Sequence, residues 1–299
     1  MQSIDVEVIE VGPRDGLQNE PVIVPTAAKV AYIEALVTAG LRRVEAVSFV
    51  HPRRVPQMAD AEEVMARVPR VSGVRYAGLV LNERGLDRAL AAGVDEVNVV
   101  VVATETFSRR NQGMSVDDAV RSFGVIAERA SRAGLGVTLT VAASFGCPFE
   151  GEVEPARVAE LVRRCPGADE VALADTIGVG VPADVRRLAA AVGEATAAPL
   201  RFHFHNTRNT GYANAVAALE SGAAALDASA GGIGGCPFAP AATGNIATED
   251  LLYLLHRSGV RTGADLPATL AAAALIEKQL GAAVPAQLGR AGMWPEAVS

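Results

Sequence analysis

The chain has 299 residues, half of them hydrophobic, and a formal net charge of −7. That length suits the roughly 250-residue (β/α)8 barrel enlarged at one end, and the dispersed negative charge leaves no basic stripe for nucleic acid. No apolar run of about 18 residues predicts a membrane span, and the opening MQSIDVEVIEVGPRDG lacks the basic and apolar regions of a signal peptide, so the expected location is the cytoplasm.

Short β-branched runs alternate with amphipathic stretches throughout, the pattern of a parallel sheet built from βα units. Eight strands are expected: Asp5 to Val11, Arg43 to Phe49, Val74 to Leu81, Glu96 to Val102, Gly136 to Ala143, Glu170 to Asp175, Leu200 to His205 and Ala225 to Ala230. Between them, Thr26 is expected to cap a helix over Ala27 to Ala39 closed by Gly40, and Ser115 one over Val116 to Ala133 before Gly134. The predicted architecture is an α/β (β/α)8 TIM barrel over about residues 5–262, with residues 263–299 as additional C-terminal helices packed on it. All 299 residues are then one catalytic domain. An open doubly wound sheet would announce itself by a Gly-rich dinucleotide turn after the first strand. The turn here is GPRDGLQNE, which carries functional groups instead.

Catalytic groups of a barrel collect at the C-terminal ends of its strands. The first strand delivers Arg14, Asp15 and Gln18, the second Glu45 and Ser48, the sixth Asp175 and Thr176, and the seventh the run HFHNT. His203 and His205 are two apart on a strand, so both imidazoles face one cavity. That suits a metal; the alternative is a polar barrel layer. With Asp15 and a further oxygen donor the set suits Mg2+ or Mn2+, whereas closed zinc would want paired cysteines. Cys147, Cys165 and Cys236 lie far apart and are expected to be free thiols. His51 and His256 read as structural or surface residues. Gly231, Gly232, Gly234 and Gly235 predict a mobile loop carrying Cys236 over the mouth, with plain loop flexibility as the alternative.

The motifs GPRDGLQNE, EAVSFVHPRRVPQM, GCPFEG, DTIGVG, HFHNT and GGIGGCPFAPAATGNIATEDLLYLL, in this order over roughly Val6 to Gly263, resemble the hydroxymethylglutaryl-CoA lyases of the DRE-TIM metallolyase group. The resemblance implies Asp15, His203, His205 and Asn245 as ligands of Mg2+ or Mn2+, Cys236 as a lid thiol and Arg14 as the cation facing a thioester enolate. It implies retro-Claisen cleavage of 3-hydroxy-3-methylglutaryl-CoA to acetyl-CoA and acetoacetate, a step of leucine catabolism and ketone-body formation. The partner is then an acyl-CoA thioester, and a homodimer through the barrel helices or the C-terminal extension is expected. The base stays open among Asp15, His203 and Glu45. Glu45, Asp175 and Glu249 are expected to orient Arg14, the histidines or the loop, and Gln18, Ser48 and Thr176 to lie near substrate. Cys147 and Cys165 are assigned to packing.

Two positions depart from the family pattern. Asn206 stands where an Asp is usual, and Thr138 and Thr140 align with an Arg and a Tyr of the fifth strand. The same residues could therefore serve citramalyl-CoA or a longer 3-hydroxy-3-alkylglutaryl-CoA, and a second alternative is a non-catalytic metal-binding barrel. A synthase with a further C-terminal region and a biotin-linked carboxyl transferase are disfavoured, because the chain shows neither that region nor a biotinyl domain.

Overall fold

A computed structural model describes residues 4–235 and 244–294. Eight parallel strands close into a barrel in chain order: β1 (Glu7–Glu10), β2 (Arg43–Ser48), β3 (Arg75–Val80), β4 (Glu96–Val102), β5 (Gly136–Ala142), β6 (Glu170–Asp175), β7 (Leu200–Phe204) and β8 (Ala225–Ala228). Closure is made by β8 pairing with β1, Glu7 opposite Ala225 and Glu10 opposite Ala228. Each expected strand is present, most of them a residue or two shorter. His205 has left β7 and instead forms an isolated bridge with Asn245.

Alternation along the strands splits the barrel wall into two faces. On β4 and β5, Val97, Val99, Val101, Val137, Leu139 and Val141 are buried in the apolar layer under the helices. The other phase carries Glu96, Asn98, Thr138 and Thr140, and register sets Asn98 opposite Thr138 and Val100 opposite Thr140. The barrel interior is therefore polar where many barrels stack branched aliphatics.

The helices are α1 (Thr26–Thr38), α2 (Ala61–Arg67), α3 (Glu83–Ala92), α4 (Glu105–Gln112), α5 (Val116–Arg132), α6 (Pro155–Arg164), α7 (Pro182–Gly193), α8 (Gly211–Glu220), α9 (Thr248–Arg257), α10 (Leu266–Leu280) and α11 (Leu288–Ala291). Among the described residues no helix is long and apolar enough to cross a membrane. The α5 cap is as expected, with Ser115 accepting a hydrogen bond from the Asp118 amide. The α1 cap is not. Pro25 occupies the cap position, and the Thr26 hydroxyl donates to Asp60 Oδ2 at 2.7 Å, so a neighbouring carboxylate has taken the oxygen that would have capped. The stretch beyond Gly263 packs on the barrel: α10 starts at an Asp265 cap and lies against α1 and α9. The Ala286 amide then donates to the Gly231 carbonyl at 3.0 Å, tying the C-terminal segment to the loop after β8.

Candidate active site

Beyond β1 the chain makes one wide helical turn, Gly12–Gly16, in which the Val11 carbonyl accepts from the amides of Asp15 (2.7 Å) and Gly16 (3.2 Å). Such turns of π type are rare and recur at functional sites. This one sets Arg14 and Asp15 over the barrel mouth. Arg14 Nε and Nη2 donate to the two oxygens of Glu45, each at 2.9 Å, and Nη1 donates to Asp15 Oδ1 at 2.6 Å. A planar fork gripped at two points is held in one orientation.

From β7, His203 and the adjoining His205 meet Asp15, each of the three offering one ligand atom within 4.8 Å of the others. His203 Nδ1 lies 3.1 Å from Asp227 Oδ2 on β8, which leaves Nε2 facing Asp15 at 3.9 Å. Asp227 is in turn held by Arg201, with Nη2 at 2.9 Å. Asn245 Nδ2 donates to Asp15 Oδ2 at 3.0 Å and to the Ile233 carbonyl at 2.9 Å. A carbonyl only accepts, so the amide orientation is fixed and Oδ1 is the free atom. That buried Oδ1, like the buried Nδ1 of His205, has no hydrogen-bond partner. Buried polar atoms without partners are uncommon and ask for an explanation. A carboxylate, two imidazoles and an amide oxygen suit a divalent cation of the Mg2+ or Mn2+ kind, so these residues fit one.

The charges agree with that fit. Burial opposes ionisation of Asp15, but Arg14, the two histidines and the Asn245 amide outweigh it and hold the carboxyl well below the usual range. Burial, and then His203, push His205 down to about 4, leaving the neutral imidazole that ligates metals. Burial would also lower His203, but its hydrogen bond to Asp227 and the charge of Asp15 raise it overall. Burial likewise opposes the charge on Arg14, yet Glu45 and Asp15 raise its pKa further, so it is a permanent cation.

This group opens into a cavity of about 480 Å3, whose lining includes Arg14, Asp15, His203, Thr140 and Thr176. Gln18 lines it too, with Nε2 3.4 Å from Asp15 Oδ1. Other expected residues lie elsewhere. The Ser48 hydroxyl accepts from the Val50 amide, and Asp175 accepts from the amides of Val179 and Gly180, both at 2.9 Å, so each braces a loop. Glu249 accepts from the Gly231 amide, behind the barrel wall. Asn206 accepts from the Gly211 amide at the start of α8. Cys236 lies outside the described residues. Cys147 and Cys165 are buried free thiols, and burial pushes Cys165 up to about 12. The Thr104 hydroxyl donates to Cys147 Sγ at 3.0 Å, a packing arrangement away from the mouth.

As far as Gly235, the loop after β8 is packed rather than loose. Gly231, Gly232 and Gly234 are buried, and Asn19 Nδ2 donates to the Gly235 carbonyl at 2.8 Å. Gly234 has φ +101°, and a Cβ there would stand 2.8 Å from Asn245 Nδ2 and 2.9 Å from the Asp15 carbonyl. Only glycine allows that approach. Asp227, Arg201 and Asn98 join the site beyond the residues the sequence singles out. The available signal was phase: Arg201 sits two residues before His203, and Asp227 and Asn98 each interrupt an apolar strand.

The fold and the site together define a class, a parallel barrel enzyme whose mouth can hold a divalent cation beside a fixed arginine. A family model described as HMGL-like matches residues 5–276, and the chain belongs to that family. The chain is 44% identical to mitochondrial hydroxymethylglutaryl-CoA lyase of Bos taurus, over 91% of this chain and 84% of that one. It is 42% identical to (R)-citramalyl-CoA lyase of Chloroflexus aurantiacus, over 98% and 97%. A solved structure of a hydroxymethylglutaryl-CoA lyase from Acinetobacter baumannii, in complex with coenzyme A and 3-methylmalate, superposes with a TM-score of 0.93 at 40% identity, covering 99% of this chain and all of that one. The protein is thus a carbon–carbon lyase of the hydroxymethylglutaryl-CoA lyase kind, acting on an acyl-CoA.

Proposed function

We propose that the chain cleaves 3-hydroxy-3-methylglutaryl-CoA to acetyl-CoA and acetoacetate, with Mg2+ or Mn2+ held by Asp15, His203, His205 and Asn245. The observation that carries this reading is the pair of buried polar atoms without partners, His205 Nδ1 and Asn245 Oδ1, beside an ionised Asp15. When bound, such a cation supplies Lewis acidity, which orients the substrate oxygens and makes the hydroxyl easier to deprotonate.

The remaining work belongs to the chain's own groups. Both oxygens of Glu45 are occupied by Arg14, which favours Asp15 or His203 as the base that takes the hydroxyl proton. The oxygen's electron pair becomes the ketone of acetoacetate as the carbon–carbon bond breaks. The electrons of that bond pass into the thioester enolate. Arg14, fixed and permanently charged, stabilises the oxygen on which this charge develops. Cys236 follows Gly235, a residue of the cavity wall, and its thiol delivers the proton to the enolate carbon while the loop excludes water. Alkylation should therefore inactivate the wild type and spare what activity Cys236→Ser retains; equal loss in both removes Cys236 from the scheme. The cytoplasm is the proposed location.

A second reading, cleavage of citramalyl-CoA to acetyl-CoA and pyruvate, is favoured by the fifth strand. Thr138 is engaged by Arg43 and Glu170, and the Thr140 hydroxyl donates to Asn98 Oδ1 at 2.6 Å, so β5 offers the cavity no cation for the free carboxylate, which in 3-hydroxy-3-methylglutaryl-CoA lies one carbon further from the hydroxyl-bearing carbon than in citramalyl-CoA. The purified protein with Mg2+ and each thioester decides the matter. Acetoacetate as co-product supports the first reading and pyruvate the second. Release of acetyl-CoA from neither points to a longer 3-hydroxy-3-alkylglutaryl chain or to the non-catalytic barrel.

A further inference from the structure

Arg201 is a buried cation, 1% exposed, that takes no direct part in the cleavage. It stands on β7 two residues before His203, so the two side chains share one face of the strand and Arg201 lies a layer further from the mouth. Its register partners on both neighbouring strands are alanines, Ala172 on β6 and Ala225 on β8, which leaves the barrel interior room for a long side chain. In that space the guanidinium meets two carboxylates, and each of them holds a different working group. Nε and Nη2 fork onto the two oxygens of Asp227, with Nη2 at 2.9 Å from Oδ2, the same oxygen that lies 3.1 Å from His203 Nδ1. Nη2 also stands 3.7 Å from Glu45 Oε2, the oxygen to which Arg14 Nη2 donates at 2.9 Å. On the remaining side Nη1 is 3.6 Å from Glu170 Oε2, which ties the guanidinium to the floor. Arg43, the cation at that floor, pairs with Glu7, Glu96 and Glu170, and none of these carboxylates pairs with Arg14 or His203 among the described residues.

We propose that Arg201 is a positioning residue for the cleavage: it fixes Asp227 and Glu45, and through them holds His203 and Arg14 in one spatial relation. The proposal rests on the reading of the mouth as a cation site beside an arginine that faces the enolate. A carboxylate behind a ligating histidine sets the orientation of the ring, and disturbing it costs metal affinity. A displaced Arg14 would miss the oxygen on which charge develops, a loss felt in the transition state and therefore in kcat more than in KM. Lysine at position 201 would keep the charge and lose the planar fork, so it should restore only part of the arrangement.

The test compares wild type, Arg201→Lys, Arg201→Gln and Arg43→Lys, the last being the same exchange at the floor. Arg201→Gln is expected to bind Mn2+ about 10- to 100-fold more weakly and to lower kcat on the acyl-CoA about 100-fold with KM nearly unchanged. Arg201→Lys should fall between it and wild type. Arg43→Lys should lower the unfolding midpoint and keep both Mn2+ affinity and kcat. In metal-free protein, the hydrogen-bonded ring proton of His203, identified by its absence from the magnetic resonance spectrum of His203→Gln, should shift or broaden in both Arg201 variants and stay in place in Arg43→Lys. Wild-type Mn2+ affinity and kcat in a folded Arg201→Lys and Arg201→Gln overturn the proposal, and so do changes of equal size in Arg43→Lys. If Arg201→Gln does not fold, Arg201→Lys decides on the same readings. Should the wild type bind no Mn2+, the cation reading falls, while the His203 proton still decides whether Arg201 positions that ring.

Discussion

Two layers of one barrel use the same side chains to opposite ends. At the floor, Arg43 reaches Glu96 at 2.6 Å and both oxygens of Glu170 at 2.8 Å, and the second oxygen of Glu96 lies 2.7 Å from Arg75 Nη1. Arg201 joins this layer to the next through Glu170 and Asp227. These charges are matched within the protein. At the mouth, Asp15, His203, His205 and Asn245 converge with two buried polar atoms unmatched. Oxygens without a hydrogen-bond partner also occur at Gln112, Thr207, Asn214 and Ser229, and at Glu96 Oε1, whose charge Arg75 nevertheless matches, but none of these residues belongs to the Asp-His-His group or is bonded to Asp15 as Asn245 is. Buried charge that is fully paired marks structure, whereas a converging donor set with gaps marks a ligand.

The largest effect expected from this contrast is on turnover. His205→Ala at the mouth should lower kcat/KM by about 10³-fold, the several kcal/mol that a cation contributes at developing charge, while the unfolding midpoint moves little. Steady-state assay at saturating Mg2+ together with urea unfolding reads both, and a collapse of stability with activity preserved would reverse the roles of the two layers. Arg43→Ala at the floor should do the opposite and cost stability at the lower end of about 3–5 kcal/mol, because Glu96 and Glu170 lose the buried cation they share and keep only Arg75 and the more distant Arg201. Denaturant unfolding measures this; a loss under about 1 kcal/mol means the floor is not held by its ion pairs.

Asp227 belongs to both layers, since it accepts from Arg201 below and orients His203 above. Asp227→Asn should therefore weaken Mn2+ binding by about 10- to 100-fold, with a smaller stability loss than Arg43→Ala. The smallest effect concerns a carboxyl that no cation matches. Glu10 accepts from the amides of Gly12 (2.8 Å) and Ala230 (3.0 Å) and from the Thr248 hydroxyl (2.7 Å), and burial raises it to about 8. A group whose folded pKa is raised above its unfolded value, here 4.5, contributes stability that is full below that value and is lost as pH rises through about 8. Unfolding at pH 5 and pH 8.5 should show the decline in wild type and less of it in Glu10→Gln; identical slopes would mean that Glu10 is ionised in the folded protein.

The sequence made the mouth legible and the floor largely illegible, for a physical reason. His203 and His205 declare themselves by strand alternation, and Asp15 by its place after β1, so proximity follows from topology alone. Arg43, Glu96, Glu170 and Arg201 are far apart in the chain and meet only through barrel register, which alternation on single strands does not reveal. Asp227 was hidden for the same reason, as its partner lies on the neighbouring strand. Local competition explains the remaining differences. Thr26 lost its capping role to Asp60, Ser48 turned to the Val50 amide, and the glycines up to Gly234 serve close packing more than motion.

The central claim is that Asp15, His203, His205 and Asn245 form one divalent-cation site, and the direct test is titration of chelator-treated protein with Mn2+, followed by electron paramagnetic resonance. One bound ion per chain in wild type, lost in His205→Ala and in Asp15→Asn, is the result predicted. Binding that survives both substitutions, or no specific binding to the wild type, would contradict it.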